Sequence, residues 1–197
     1  MQISVGTPEF VRYRAAQLYD VAFGSKLALA VPDEKQRIDM LAKGFVLEHS
    51  IAAITNGELV GLAGFPTPDG SLTSGIGYRS LLSDFGFLGG NRAALVFSVY
   101  DRESRKGELL MDGIVVDASC RGQGIGTQLF SSLIKLAIER GYSTIRLDVI
   151  DTNPAARRLY ERLGFVATKT ERFEFLRWLL GFGASTTMIY SLQSSDP

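Results

Sequence analysis

The sequence predicts a single α/β domain whose sheet contains a parallel strand pair. A strand, a glycine-rich loop, a helix, a second strand and another helix follow one another between residues 109 and 163. That order joins two parallel strands through a right-handed crossover. An Asn56-Gly57 pair between two apolar runs is the strongest short signal for an antiparallel hairpin. The length of 197 residues fits one large domain.

Composition and charge exclude several classes of function. Hydrophobic residues make up 46% of the chain, and 21 basic residues balance 21 acidic ones. This neutral balance argues against electrostatic binding to nucleic acid or to an anionic membrane. With one cysteine, Cys120, and one histidine, His49, the chain has no internal disulfide and no cysteine- or histidine-rich metal site. No apolar run reaches the roughly 20 residues of a membrane span, and the N-terminus does not read as a secretory signal, so we expect a cytoplasmic protein.

Two helices and a hairpin are predicted in the first third of the chain. Thr7-Pro8-Glu9 starts the first helix with a threonine hydroxyl cap, and Gly24 ends it. Pro32-Asp33-Glu34 begins the second helix. The two strands of the hairpin are Ser50–Thr55 and Glu58–Phe65.

Residues 66–106 fit no simple pattern, because glycines interrupt an otherwise apolar stretch. We expect two short helices here, one near Tyr78–Phe85 and one starting after Asn91. Two interpretations stay open: a helical connection that covers the sheet, or a mobile lid with glycine hinges over a substrate pocket.

The second half of the chain shows the clearest alternation of strands and helices. Gly141 and Gly164 end its two helices, and Asn153-Pro154 starts the second of them. The predicted elements are the strand Leu109–Val116, the helix Gln128–Glu139, the strand Thr144–Ile150, the helix from Asn153 to Leu163, and the strands Phe165–Thr170 and Thr186–Leu192.

The glycine-rich loop between the first of these strands and its helix predicts a phosphate site. Backbone N–H groups at a helix start bind anions, and glycine lets the phosphate come close. The loop lacks the Gly-Lys-Ser/Thr ending of a Walker A motif, and Thr127 stands where a dinucleotide fingerprint needs its third glycine. The candidate ligand-binding residues are Arg121, Gly122, Gln123, Gly124, Ile125, Gly126 and Thr127.

Two patterns together resemble a known family. Arg-x-x-Gly-x-Gly, from Arg121 to Gly126, resembles motif A of the GNAT superfamily, the Gcn5-related N-acetyltransferases, which use it to hold the pyrophosphate of acetyl-coenzyme A. The run Leu147-x-Val149-x-x-x-Asn153-x-x-Ala156-x-x-Leu159-Tyr160-x-x-x-Gly164-Phe165 resembles motif B. The resemblance covers residues 109–170 as an acetyl-CoA-binding core and leaves 66–106 as a helical insertion in one N-acetyltransferase domain, 1–197. It implies a mixed, mostly antiparallel sheet with a splayed central parallel pair flanked by helices.

The function implied by this resemblance is an acetyl-CoA-dependent N-acetyltransferase in which an amine attacks the acetyl group directly in a ternary complex. The pantetheine arm is then expected between the splayed strands, bonded to the backbone of Ile114, Val115 and Val116. Asn153 of motif B joins the cofactor-binding set. The alternative is a non-catalytic module that binds or senses acyl-CoA, and the presence of Tyr160 favours the enzyme.

Tyr160 resembles the family's general acid, and a phenol with a pKa of about 10 suits protonation of a thiolate. Strand alternation puts Glu108 and Asp112 on one face with Ile114 and Val116. Asp112 is the first choice for the general base and Glu108 the second, against the alternative of a solvated carboxylate.

Two other residues are given no catalytic role. His49 is expected at the surface, since it precedes an edge strand. Cys120 adjoins the phosphate loop, at the opposite end of the pantetheine from the thioester, so it is not expected to be an acyl carrier.

The amine acceptor is not identified by any motif. The insertion 66–106 and the apolar loop 173–182, which contains Trp178, are expected to form the acceptor wall, together with Tyr78 of the insertion. Such a wall favours a hydrophobic amine. Self-association into a homodimer through the same apolar surface is the alternative.

Overall fold

The computed structural model describes residues 1–100, 105–177 and 181–192. Trp178 and its two neighbours in the predicted apolar loop lie outside the described residues. The described strands are β1 (Gln2–Val5), β2 (Ser50–Thr55), β3 (Glu58–Gly64), β4 (Glu108–Leu110), β5 (Gly113–Val116), β6 (Thr144–Ile150), β7 (Val166–Arg172) and β8 (Ala184–Ser191). The described α-helices are α1 (Arg12–Leu27), α2 (Glu34–Gly44), α3 (Tyr78–Tyr100), α4 (Ile125–Glu139) and α5 (Pro154–Arg162).

The strands form two four-stranded sheets. The first has the order β1-β2-β3-β5 and is antiparallel throughout. The second has the order β4-β6-β8-β7, in which β4 and β6 run parallel and the other pairs are antiparallel. β5 belongs to the first sheet and β6 to the second, so these two strands are not hydrogen-bonded to each other and a gap opens between them. This confirms the predicted fold class, a mostly antiparallel arrangement with a splayed parallel pair.

Helices pack on both faces of the sheets and create two cores. The α1-side core joins α1, α2 and α3 to β3 and β5 through residues such as Leu62 and Val115. The α4-side core joins α4 and α5 to both sheets through residues such as Ala63, Leu129 and Leu147. Because successive side chains of a strand point to opposite faces of the sheet, one strand contributes residues to both cores.

The first helix differs from its prediction at both ends. The Thr7 hydroxyl does not cap it; this side chain is buried and lies 2.6 Å from the Ser50 hydroxyl of β2. A single 3-10 turn precedes α1, and the helix runs through Gly24 to Leu27. At Gly24 an added Cβ would lie 2.7 Å from Oδ1 of Asp20, so the glycine gives room to a buried carboxylate instead of ending the helix.

Two further differences come from tertiary packing. β1 was not predicted, and it pairs with β2 along its whole length. His49, expected at the surface, is only 7% exposed because its ring packs edge-on against Phe65. The Asn56-Gly57 hairpin and the start of α2, where Asp33 accepts a hydrogen bond from the backbone N–H of Gln36, are as predicted.

Within the insertion, α3 has two helical halves that meet at a kink at Gly86 (φ 67°, ψ −178°). The first half matches the predicted helix near Tyr78–Phe85, whereas the second begins directly after the kink, ahead of the predicted start after Asn91. The insertion's buried side chains, among them Leu81 and Ala93, join the α1-side core. Phe87, Leu88 and other large side chains of the insertion stay exposed. Within the described part of the chain, no helix combines the length and apolar character needed to cross a membrane.

Candidate active site

A cleft of ≈ 750 Å³ opens where β5 and β6 part. Its walls come from the end of α1, from β5, from the glycine loop that leads into α4, from β6 and from the inner face of α5. The order of strand, loop and helix along the chain therefore brings the two sequence patterns onto one cavity.

The divergence of the strands begins within two residues. Leu110 is the last residue of β4 in register with β6, opposite Arg146, and the next N–H, from Met111, still donates to the Arg146 carbonyl at 2.8 Å. The N–H of Asp112 instead donates to the Gly64 carbonyl of β3 at 3.0 Å. The chain thus changes its hydrogen-bonding partner from one sheet to the other, and this step opens the cleft.

Gly113 makes this step possible. Its φ of +153° is a conformation that L side chains rarely adopt, and an added Cβ would lie 2.7 Å from Cζ of Phe23 in α1. The extra residue acts as a β-bulge, which shifts the alternation of side chains by one. Met111 and Ile114 consequently pack in the same α4-side core, and Asp112 lies on the opposite face of the sheet.

The bulge separates residues that the sequence placed on one face. Ile114 and Val116 pack on the α4 side, whereas Asp112 faces α1, so the prediction of a common face was wrong. Glu108 is buried and lies 3.0 Å from Nη1 of Arg146 in an ion pair. It does not line the cleft, whereas Asp112 does.

The main chain of β5 offers hydrogen-bonding groups to the cleft at alternate residues. The N–H of Asp117 donates to the Val60 carbonyl of β3 at 2.9 Å, which fixes the phase of the antiparallel ladder. Alternation then turns the main-chain groups of Val115 toward β3 and those of Ile114 and Val116 toward the cleft. Of the three predicted backbone contacts, these last two face the cleft. There the Val116 carbonyl accepts from Arg121 and the Ile114 backbone bonds the Tyr160 hydroxyl, so a ligand can pair with the groups that these bonds leave open.

The glycine loop forms the far end of the cleft. Gly122 and Gly124 have φ values of +78° and +76°, and a Cβ on either would meet no atom within 4 Å. The first backbone bond of α4 runs from Gln128 N–H to the Gly124 carbonyl at 3.1 Å. The N–H groups of residues 125–127 therefore belong to the first turn of the helix, whose donors have no intrahelical acceptor.

The other predicted residues of this loop divide between cleft and solvent. Arg121 lines the cleft and donates from Nε to the Val116 carbonyl at 3.3 Å. Gln123 is exposed and is not part of the lining. Cys120, half-buried, lines the cleft beside the loop, as its place in the sequence suggested.

Tyr160 is brought to the cleft by α5. Asn153 caps this helix by accepting a hydrogen bond from Ala156 N–H at 3.1 Å, and it also lines the cleft. Tyr160 is 7% exposed and packs against the ring of Phe165 at 5.7 Å between centroids. Burial raises the pKa of Tyr160 to about 12, and a hydrogen bond with the backbone of Ile114 acts in the opposite direction. The phenol thus stays protonated and points at a main-chain group of β5.

Several cleft residues were not found from the sequence. Asp148 of β6 lines the cleft and accepts a hydrogen bond from the Thr187 hydroxyl at 2.5 Å. The sequence contained a signal for this residue, because Asp148 is a carboxylate between two apolar residues of the same strand, both of which are buried. Arg162 lies three residues after Leu159 on the cleft side of α5. The end of α1 also lines the cleft, and no sequence pattern assigned its residues to a site: Val21, Ala22, Phe23 and Ser25.

The residues predicted for the acceptor wall do not line the cleft between β5 and β6. No described residue of the insertion or of the loop 173–182 lines the cleft; the end of α1 does, with residues such as Phe23. The buried apolar side chains of α3, such as Leu81 and Ala93, pack in the α1-side core instead. The prediction for Trp178 concerns a residue outside the described part, and Tyr78 is exposed, with its hydroxyl 2.9 Å from Oδ1 of Asn91.

Comparison with known proteins identifies the arrangement. The model of the Acetyltransferase (GNAT) family matches residues 16–165. The chain is similar to thialysine N-epsilon-acetyltransferase of Bos taurus, with 38% identity over 56 residues, 28% of this chain and 33% of that protein. It is also similar to spermine/spermidine N(1)-acetyltransferase of Bacillus subtilis (strain 168), with 30% identity over 92 residues, 46% of this chain and 57% of that protein. The first match thus spans about a third of the length of the curated relative.

The fold also has solved counterparts. The structure of yncA from Salmonella typhimurium with its cofactor acetyl-CoA has a TM-score of 0.58 and 16% sequence identity. The match covers 100% of this chain and 96% of that chain. At this identity the likeness concerns the fold.

Proposed function

The chain belongs to the GNAT acetyltransferase family, and on that premise we propose that it transfers an acetyl group from acetyl-CoA to an amine by direct attack in a ternary complex. The observation that carries the proposal is the cleft between β5 and β6, which has a glycine loop at one end and a protonated phenol against the β5 backbone. Relatives named for thialysine and for spermine and spermidine support an amine as acceptor.

The pyrophosphate is assigned to the glycine loop. The open space over Gly122 and Gly124 leaves a phosphate room to reach the backbone, and the first-turn N–H groups of α4 supply donors with the positive end of the helix dipole. Arg121 adds a fixed positive charge at the same place. The residues present therefore fit the phosphates of coenzyme A.

The pantetheine arm is assigned to the edge of β5. Its amides are expected to pair with the inward-facing main-chain groups of Ile114 and Val116 that the bonds to Tyr160 and Arg121 leave open, in the manner of an added strand. Val115 has its main chain turned to β3 and instead packs its side chain in the α1-side core. The sequence-based set of three backbone contacts is thereby reduced to two.

Tyr160 is proposed as the general acid. When the amine nitrogen bonds to the acetyl carbon and the carbon–sulfur bond breaks, the departing sulfur needs a proton, which the phenol supplies. A phenol pKa of about 12 lies above that of a simple thiol, but the same desolvation also raises the pKa of a thiol held in the cleft. Burial therefore keeps the acid protonated without abolishing the match between acid and leaving group.

Asp112 is proposed as the general base. It accepts the proton of the attacking amine, directly or through a water molecule. It lines the cleft on the α1 side of the sheet, opposite the α4-side core that contains Tyr160. The pKa of Tyr19 in α1 is raised first by burial of the phenol and second by the negative charge of Asp112. The Asp112 carboxylate therefore lies close to α1. The acceptor then enters from the α1 side and the thiol leaves past Tyr160. Glu108, which the sequence offered as the second choice, is held in its ion pair with Arg146.

A single-residue pair of variants tests the proposal. Gly126→Val adds a branched side chain where a Cβ has only ordinary contacts, at 3.9 Å, but where it faces the proposed phosphate. Gly77→Val is the matched control, because a Cβ there meets nothing within 4 Å and the residue is far from the loop in sequence. Loss of one or two charge-assisted hydrogen bonds, about 1.5–3 kcal/mol, predicts a roughly 10- to 100-fold weaker affinity for acetyl-CoA in Gly126→Val alone.

The measurements are calorimetric titration with acetyl-CoA and release of free thiol in the presence of a panel of amines. Equal affinity in both variants would remove the phosphate assignment. Tight acetyl-CoA binding with no thiol release for any amine would support the alternative, a non-catalytic acyl-CoA-binding module. A cytoplasmic location and a homodimer stay predictions from the sequence.

A further inference from the structure

Two carboxylates stand on the two lips of the cleft where it opens. Leu110 of β4 is in register with Arg146 of β6, and two residues further along each strand come Asp112 and Asp148. The strands separate at this point, so the two side chains flank the gap instead of pairing across a continuous sheet. Both line the cleft.

Both carboxylates lie on the same face of the protein. Leu147 and Val149, the neighbours of Asp148 in β6, are buried in the α4-side core, so Asp148 points to the other side. Asp112 points to that side as well, because its neighbour Met111 packs in the α4-side core. Asp148 is half-buried, and the Thr187 hydroxyl of the adjacent strand donates to its Oδ1 at 2.5 Å. This hydrogen bond orients the carboxylate at the mouth of the gap.

The charged lining of the cleft is divided along its length. Of the described lining residues, the basic ones are Arg121 and Arg162, and the acidic ones are the two aspartates. Arg121 belongs to the glycine loop, and Arg162 lies one turn beyond Leu159, whose Cδ2 would be 3.9 Å from a Cβ added to Gly126 of that loop. Four residues of β5 separate Asp112 from the loop end of the strand, about 13 Å at 3.3 Å per residue. One end of the cleft thus suits phosphates, and the other suits a cation.

We propose that Asp148, oriented by Thr187, is a specificity-determining residue that binds a second, non-reacting ammonium group of the acceptor. The inference rests on the proposed function. The reacting nitrogen must be neutral when it attacks, and its proton goes to Asp112. A second carboxylate on the same face then matches a nitrogen that stays protonated. The preferred acceptor is therefore an amine with two basic nitrogens, in place of the hydrophobic amine that the sequence suggested.

The test compares acceptors that differ by one charge. Diamines from 1,3-diaminopropane to 1,6-diaminohexane are each measured against the n-alkylamine with the same number of carbons, by thiol release from acetyl-CoA. The variants are Asp148→Asn and Thr187→Val. Glu161→Gln is the matched control, because Glu161 is an exposed carboxylate of α5 that does not line the cleft.

For wild type we expect kcat/KM to be about 10- to 100-fold higher for the best diamine than for its monoamine, the scale of one charge-assisted hydrogen bond. Asp148→Asn should abolish this preference through KM, leave kcat for the diamine and kcat/KM for the monoamine within a factor of three, and keep acetyl-CoA affinity. Thr187→Val should reduce the preference partially, and Glu161→Gln should retain it.

Three results would overturn the proposal: no preference for diamines in wild type, a preference that survives in Asp148→Asn, or an equal loss for both acceptors in that variant. If Asp148→Asn fails to fold, Thr187→Val with unchanged diamine preference overturns it as well. Failure of the proposed function looks different, since wild type would then bind no acetyl-CoA or release no thiol with any amine.

Discussion

Replacing Tyr160 by phenylalanine removes one hydroxyl from the cleft and leaves the rest of the side chain in place. The ring is buried and packs against Phe165, so the aromatic contact survives the substitution. What is lost is the hydrogen bond with the backbone of Ile114 and the acidic proton. The variant therefore separates the chemistry of the phenol from its packing.

The structural cost of this change is small. A typical intramolecular hydrogen bond contributes about 0.5–1.5 kcal/mol to the free energy of unfolding. For a chain of this size, that corresponds to a fall in Tm of roughly 1–6 °C at 2–4 °C per kcal/mol. Affinity for acetyl-CoA should change little.

The kinetic cost is larger. General acid catalysis contributes about 10²- to 10⁴-fold, so kcat for the best amine should fall by that factor while KM for acetyl-CoA stays nearly constant. Tyr190→Phe is the control, because this tyrosine packs against the same Phe165 ring, at 5.6 Å, and does not line the cleft. Steady-state thiol release and calorimetry with coenzyme A measure the two effects separately.

Three outcomes would contradict the assignment. An unchanged kcat in Tyr160→Phe would remove the phenol from the mechanism. A loss of acetyl-CoA affinity as large as the loss of kcat would show that the tyrosine acts through packing. A fall in kcat for Tyr190→Phe of the same size would point to a general effect on the core.

Further predictions follow from the bulge, the base and the buried phenol. Gly113→Ala should lower the free energy of unfolding by about 2 kcal/mol, because alanine disfavours this φ and its Cβ would clash with Phe23. In a melting experiment the expected fall in Tm is roughly 4–8 °C. If Phe23→Ala added to Gly113→Ala recovers none of the lost stability, the clash is excluded. Asp112→Asn should reduce kcat/KM by about 10²-fold or more at pH 7 and recover as pH rises toward the pKa of the amine; a pH profile parallel to wild type would exclude the base role. Because burial raises the pKa of Tyr160 from 10.0 to about 12, its contribution to stability is fully present below pH 10 and is lost between pH 10 and 12, by about 3 kcal/mol. Denaturant unfolding should show that Tyr160→Phe loses less stability than wild type over this interval, and equal losses would contradict the burial effect.

The sequence by itself determined the elements whose signals are local. The hairpin depends on Asn56 and Gly57, the start of α5 on the Asn153 cap, and the glycine loop on residues whose backbone conformation only glycine adopts readily. These features depend on a few neighbouring residues, so they can be read from the chain without its tertiary contacts. The order of strands, loop and helices was enough to predict an α/β domain with a parallel strand pair, whereas the mostly antiparallel sheet with its splayed pair was implied by the resemblance to the family.

The tertiary structure decided which side chains meet. A single bulge at Gly113 shifts the alternation of side chains between β4 and β5, so Asp112 and Ile114 point to opposite faces of the sheet. No periodicity in the sequence predicts this bulge. Glu108 found its partner, Arg146, on a strand that is distant in sequence, and the burial of His49 likewise depends on a non-local contact with Phe65. Such outcomes follow from strand register and packing between remote segments, which the order of residues along the chain does not encode locally.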